Sequence, residues 1–275
     1  MDSVPILFIE EVLFQLEQPS HVKEIPRYPW TWGRVADRKV VKKKVTIVIY
    51  QEPNKESSFR LEPANAPIIV LEPAPPLENL EQFALETITI YNKRRFERAD
   101  TRNRRYPLNQ ENFQLLQRHF RRGHPCDLSL FADFQGAPLV NQLCLAPSRV
   151  TKIFLNNETL PTDILTRSIE RGTLRNLTCN ATRLTQELFP VVFKFVASEN
   201  FRSLIFSQLH GEVSNETFVE GLVDAFLSGP RRQLFHFFVN ERYRNLFGRL
   251  KGKDMWKKVD FHCSPDESFI LFSFK

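Results

Sequence analysis

Imidazole and thiolate groups come together in one place in this sequence, at His119, His124 and Cys126, and these are residue types that bind zinc. No fourth ligand stands near them, so the spacing favours a helix-end histidine followed by a loop over a metal centre. His210, His236 and His262 fall near expected strand ends and could meet across a stack of strands. No nucleophile or acid stands at fixed spacing beside them, and each reads as a half-buried histidine on its own. The run Gly248-Arg249-Leu250-Lys251-Gly252-Lys253-Asp254 is one residue short of a phosphate loop and puts Asp254 where a Ser or Thr would hold Mg²⁺. It reads as a basic turn. The sequence contains no G-x-S-x-G, H-E-x-x-H or G-x-G-x-x-G. The expectation is therefore a protein that is not an enzyme, with no catalytic residue, metal or cofactor.

The four cysteines, Cys126, Cys144, Cys179 and Cys263, lie far apart with no C-x-x-C pair, which argues against a zinc ribbon or a redox pair. Three of them sit in or beside apolar segments and read as buried free thiols. The formal net charge is +6, and the bases are unevenly spread. Arg94, Arg95, Arg98, Arg102, Arg104 and Arg105 form a tract after Tyr91, and Arg118, Arg121 and Arg122 follow on an expected helix. Such a density can bind phosphate backbones by counterion release, which makes a nucleic-acid partner the alternative reading for 93–122. The tract lacks regular aromatic interleaving, and a solvated face explains it as well.

The elements that would position any site are clearer. A pattern of apolar-x-x-apolar-x-apolar returns as Val150/Ile153/Leu155, Leu174/Leu177/Cys179, Phe201/Leu204/Phe206 and Trp256/Val259/Phe261, with a degraded copy near Leu234. Amphipathic helices are expected between the copies. Thr162 is expected to cap the first, with Ile164, Leu165 and Ile169 inward and Gly172 past its end. The second uses Leu188, Val192, Phe195 and Val196. The third starts near Ser214 or Asn215, uses Phe218, Leu222, Val223 and Phe226, and stops at Gly229-Pro230. The spacing suits βα units of the leucine-rich kind, although Glu158 and Thr182 stand where that family places Asn or Cys. Two late strands joined by Ser264-Pro265-Asp266-Glu267 are expected to pair as a hairpin that caps the sheet edge.

Upstream, Val45–Tyr50 and Glu86–Tyr91 read as strands, with a further apolar run at Ile68–Leu71. A helix is expected from Asn109, with Phe113, Leu116 and Phe120 on one face. Near the start, Ile9, Val12, Leu13 and Leu16 share a face of a short helix that Pro19 ends. Periodicity alone leaves open whether that face caps the following sheet or meets a partner. The first residues do not read as a secretory signal, and no run of about 18 apolar residues would span a membrane. The expectation is an intracellular protein, cytoplasmic or nuclear, whose four N-x-S/T sequons at Asn157, Asn176, Asn180 and Asn215 serve as turn and cap residues.

Three features together point to a family: the opening Met1-Asp2-Ser3-Val4-Pro5-x-x-Phe8-x-x-x-Val12, the Trp30/Trp32 region followed by the strand Val45–Tyr50, and the βα units ending in a hairpin. The chain resembles the expanded nematode F-box-like proteins, which join a short F-box-type segment to a divergent C-terminal substrate-binding region. The resemblance implies that Val4, Pro5, Phe8, Val12, Leu13 and Leu16 lie in a helix docking on a Skp1-type adaptor of a cullin-based ubiquitin ligase. It also implies a target protein held by the C-terminal part.

The expected fold is α/β: a short leucine-rich-repeat-like stack of βα units closed by a C-terminal β-hairpin, preceded by a mixed α/β region and a small helical N-terminal segment. Its expected divisions are 1–44, F-box-like; 45–147, mixed, with Pro-rich and basic tracts; and 148–275, the repeat-like region. The expected function is protein recognition as a ubiquitin-ligase substrate receptor, with no membrane association.

Overall fold

The computed structural model describes residues 8–9, 12, 32–33, 43–51, 56–64, 77–92, 105–121, 124–132, 137–156, 161–181, 183–207, 210–211, 215–228, 235–240, 259–264 and 270–274. Its strands are β1 (Lys43–Gln51), β2 (Ser58–Pro63), β3 (Phe83–Asn92), β4 (Tyr106–Pro107), β5 (Pro125–Leu130), β6 (Arg149–Asn156), β7 (Asn176–Asn180), β8 (Arg183–Leu184), β9 (Ser203–Ser207), β10 (His210–Gly211), β11 (Phe235–Asn240), β12 (Val259–Ser264) and β13 (Ile270–Phe274). The α-helices are α1 (Gln110–Phe120), α2 (Pro138–Leu145), α3 (Thr162–Glu170), α4 (Leu188–Ala197) and α5 (Asn215–Ser228). A 3₁₀ turn, Leu77–Gln82, leads into β3.

One mixed sheet carries the order β12-β11-β13-β9-β7-β6-β5-β3-β1-β2-β4, and β8 and β10 form a separate pair. From β1 through β3, β5, β6 and β7 to β9, every neighbouring pair is parallel and the order follows the chain. Each crossover thus advances one strand in the same direction, which stacks the crossover helices in one layer. Accordingly α1 packs on α2, α2 on α3, α3 on α4 and α4 on α5.

Alternation decides what each strand gives to that layer. Ile47, Ile88, Leu128, Ile153, Leu177 and Leu204 stand in register across six strands, and none is more than 1 % exposed. Ile49, Ile90, Leu130, Leu155, Cys179 and Phe206 make the next row, equally buried. These rows meet the helices: the Phe206 ring stands edge-on to Phe218 of α5, with centroids 5.2 Å apart. Each such side chain contributes roughly 1.5–3 kcal/mol through the area it removes from water.

In its first three copies the recurring sequence pattern is this inner face, whereas Trp256 of the fourth lies outside the described residues. The first anchors Val150, Leu174 and Phe201 are buried at or just before their strands, and the second and third anchors fill the two rows. Leu85/Ile88/Ile90 on β3 obeys the same spacing and is buried alike, so the sheet and its core run unbroken across residues 147 and 148.

Local signals set the helix ends unequally. Asn109 caps α1 in extended conformation, its side chain accepting from the Asn112 N–H at 2.9 Å. Thr162 is not the cap of α3: the helix begins at Thr162 behind Pro161, with no side-chain cap. Gly172 closes α3 at φ +65°, where a residue without Cβ is favoured.

The expected hairpin closure is corrected. β12 and β13 are not paired with each other; β11 lies between them, parallel to β12 and antiparallel to β13, and β13 joins β9 antiparallel. Two strand spacings amount to about 10 Å, which the five residues 265–269 span with ease, so the short connection does not force adjacent pairing. The edge strand is β12, and the degraded copy near Leu234 supplies β11. The expected strand at Ile68–Leu71 lies outside the described residues.

Candidate binding face of the sheet

Residues between the inner rows point to the face opposite the helices, and they too form rows. One row runs Thr46, Thr87, Asp127, Lys152, Asn176, Ser203; the next runs Val48, Thr89, Ser129, Phe154, Thr178, Ile205. Tyr50, Tyr91, Phe131, Asn156, Asn180 and Ser207 follow one pair further along, Phe131 being tied to β3 by its N–H on the Ile90 carbonyl at 2.9 Å.

At the β1 side this face is closed: Val48, Tyr50 and Thr89 are 3 %, 4 % and 7 % exposed. From Tyr91 onward it opens, with Tyr91, Phe131, Phe154, Thr178 and Ile205 only half-buried and Lys152 and Asn156 exposed.

The open part has two chemical halves. Tyr50, Tyr91, Phe131 and Phe154 form a continuous aromatic run across β1 to β6, with successive centroids 6.4, 4.9 and 5.3 Å apart. The guanidinium of Arg105 lies 4.6 Å from the Tyr50 ring centre and that of Arg60 lies 5.4 Å away. Arg60 also pairs with Glu62 on the same strand. Burial pushes the Tyr50 hydroxyl pKa up although both arginines oppose the shift, and burial does the same to Tyr91.

Across β7 and β9 the face is polar. Ser203 Oγ donates to Asn176 Oδ1 at 2.9 Å and Ser207 Oγ donates to Asn180 Oδ1 at 2.5 Å. The sequons at Asn176 and Asn180 are therefore strand residues, not the turn residues expected; outward strand positions accept Asn when a cross-strand partner satisfies it. Thr151 Oγ1 donates to Asp127 Oδ1 at 2.7 Å, yet burial still raises the Asp127 carboxyl above its ordinary value.

Of the residues assigned to adaptor docking, Phe8 and Val12 are described, both in helical backbone. Phe8 is 55 % exposed, Val12 is half-buried, and their neighbour Ile9 is 0 % exposed. Val4, Pro5, Leu13 and Leu16 lie outside the described residues.

Of the basic tract, Arg94, Arg95, Arg98, Arg102, Arg104 and Arg122 likewise lie outside. Arg105 sits at β4 against Tyr50, whereas Arg118 and Arg121 stand exposed at the C-terminal end of α1, where cations complement the helix dipole. The described bases of the tract are thus shared between the sheet and the helix layer.

His119 is buried in the last turn of α1, with its ring 6.5 Å from that of His124. Cys126 points inward, and burial holds its thiol well above the usual pKa, which disfavours the thiolate a metal needs. Among the described residues no cluster of His, Cys, Asp and Glu could hold a metal ion. Cys126, Cys144 and Cys179 are buried thiols in no disulfide, and burial pushes Cys144 to about 12. His210 belongs to the separate β8–β10 pair, and His236 and His262 lie on the neighbouring strands β11 and β12, two register positions apart. The Gly248–Asp254 turn lies outside the described residues.

Sequence reasoning missed the open aromatic run. The signal was present: Leu85/Ile88/Ile90 fits the recurring pattern, which by alternation sends Thr89 and Tyr91 to the other face.

Among the described residues the fold and face define an α/β protein with α1 to α5 on one side of a mixed sheet and a partly exposed aromatic and polar surface on the other. Searches of protein-family models, curated proteins and solved structures found nothing that matches this chain. Among the described residues no helix is long and apolar enough to cross a membrane.

Proposed function

We propose that this chain is a non-catalytic protein-recognition module that holds a target on the helix-free face of its sheet. The observation that carries the reading is the half-exposed aromatic run Tyr91, Phe131 and Phe154 beside the polar pairs of β7 and β9. Rigid aromatic rings bring large contact area at small entropic cost, and the adjacent amides and hydroxyls give direction. The serial βα order of β3 to β9 fits a short leucine-rich-repeat-like stack, an architecture that serves as a binding surface.

The N-terminal segment would tether this module to a Skp1-type adaptor, making the chain a ubiquitin-ligase substrate receptor. Phe8, exposed beside a fully buried Ile9, supports a docking role for that segment. Catalysis would then be by proximity: tethering raises the target's effective concentration near the conjugating enzyme, with no reacting group from this chain.

A pull-down with the Skp1-type adaptor tests the tether, comparing the intact chain with Phe8→Asp. The expected result is capture of the intact chain and about tenfold less of the variant. Failure of the intact chain to be captured would overturn the ubiquitin-ligase reading.

A further inference from the structure

The two edges of the eleven-stranded sheet end differently. At one, β4 holds two residues, Tyr106 and Pro107, and proline has no N–H to offer a further strand. The part of β2 that β4 leaves uncovered carries Arg60, Glu62 and Pro63, with Arg60 and Glu62 paired as ions. Charge and proline keep an edge from adding strands.

At the other edge lies β12, six residues reading Val259-Asp260-Phe261-His262-Cys263-Ser264, with no proline. It pairs with β11 on one side, and among the described residues no strand lies on the other. Such an edge offers an outside strand a row of N–H and C=O groups. Alternate positions share a face, so Asp260 and His262 belong to one face of the sheet and Val259, Phe261 and Cys263 to the other.

We propose that β12 pairs antiparallel with β12 of a second copy of this chain, about a two-fold axis through Phe261, which joins the two sheets into one. A two-fold axis normal to the sheet leaves each face on its own side, and residues directly opposite in an antiparallel pair share a face. The axis must therefore pass through a residue position and not between two. Through Asp260 it sets carboxylate against carboxylate, and through His262 it sets imidazole against imidazole. Axes through Val259, Cys263 or Ser264 leave half or more of the strand unpaired. Through Phe261 the opposite charges meet twice, because Asp260 stands opposite the partner's His262 and His262 opposite the partner's Asp260, while Val259 meets the partner's Cys263.

The neighbouring strand fits this register. Asp260 is level with His236 of β11, whereas His262 is level with Phe238. Pairing thus brings His262 an acid that β11 does not supply at its register position. The complementarity belongs to the strand itself, which identifies the occupant as a second copy: the same residues, run antiparallel, supply both charges. This contact lies at the edge of the sheet and is separate from the recognition face.

The test is sedimentation velocity on the full chain from about 1 to 100 µM at pH 6, where an imidazole of ordinary pKa, about 6.5, is mostly protonated. The parent gives a dimer fraction that rises with concentration. Asp260→Lys raises the dissociation constant about tenfold, since two equivalent pairs become like-charged. His262→Lys keeps the positive charge and stays within about threefold of the parent. Asp260→Lys with His262→Asp exchanges the charges and also returns to within about threefold, a rescue that loss of folding would not allow. Phe8→Asp leaves the dimer unchanged, so failure here and failure of the adaptor reading are told apart. The proposal is overturned if the chain stays monomeric at the highest concentration, which would leave the edge to solvent or to a strand of another protein. It is equally overturned if Asp260→Lys dimerises as tightly as the parent, or if the exchanged pair stays as weak as Asp260→Lys.

Discussion

The ring of Phe193 on α4 fills the place where a side chain on Gly221 of α5 would stand: a Cβ there would lie 2.1 Å from Phe193 Cζ and 2.5 Å from Cε2. The two helices touch at this point because one of them lacks a side chain. Phe193 cannot move freely, since its ring is flanked by Phe189 at 5.5 Å and Phe218 at 5.9 Å.

Gly221→Ala is accordingly expected to destabilise the protein. Alanine gains about 1 kcal/mol of helix propensity over glycine, but overpacking against a held ring costs about 1–3 kcal/mol. A lower urea midpoint with unchanged slope is the expected outcome, and adding Phe193→Ala should remove the clash. A raised midpoint for Gly221→Ala alone would show that the helices separate easily.

Adjacent residues on β9 test which face is which. Leu204 is 0 % exposed and lies in the inner row, whereas Ile205 is half-buried on the helix-free face. Leu204→Asp is expected to cost several kcal/mol, because a carboxylate enters the core unpaired. Ile205→Asp should stay within about 1 kcal/mol of the parent in the same urea titration. Equal losses at both positions would contradict the assignment of faces.

Asp127 makes a pH prediction whose sign follows from its environment. Burial raises its folded-state pKa above 3.8, with Thr151 and Lys152 opposing. The folded state therefore binds this proton more tightly than the unfolded state, so stability from this group is present at low pH and is lost as pH rises from 3.8 through the folded value. Asp127→Asn keeps an Oδ1 to accept from Thr151 and carries no charge. Its melting temperature should exceed the parent's at pH 7, and the gap should close near pH 3, as followed by calorimetry. A gap of the same size at both pH values would assign the effect to packing.

The positions of β6, β7 and β9 and of the helices between them, and the residues of these elements that turn inward, are set by local sequence. Ile153 and Leu155, Leu177 and Cys179, and Leu204 and Phe206 are legible because the recurring spacing matches the two-residue alternation of a strand. Asn109 and Gly172 likewise mark helix ends through local backbone chemistry.

Tertiary structure alone decided the order of the late strands and the gradual opening of the sheet face opposite α1 to α5. The dense basic run 93–122 is conspicuous in the sequence, but its described members divide between β4 and α1. Arg175 and Arg202, by contrast, are 27 residues apart in the chain yet level with each other at the starts of neighbouring strands. Local spacing fixes which way a side chain points within a strand. Which strands become neighbours depends on helices packing over the whole sheet, as with β11 lying between β12 and β13.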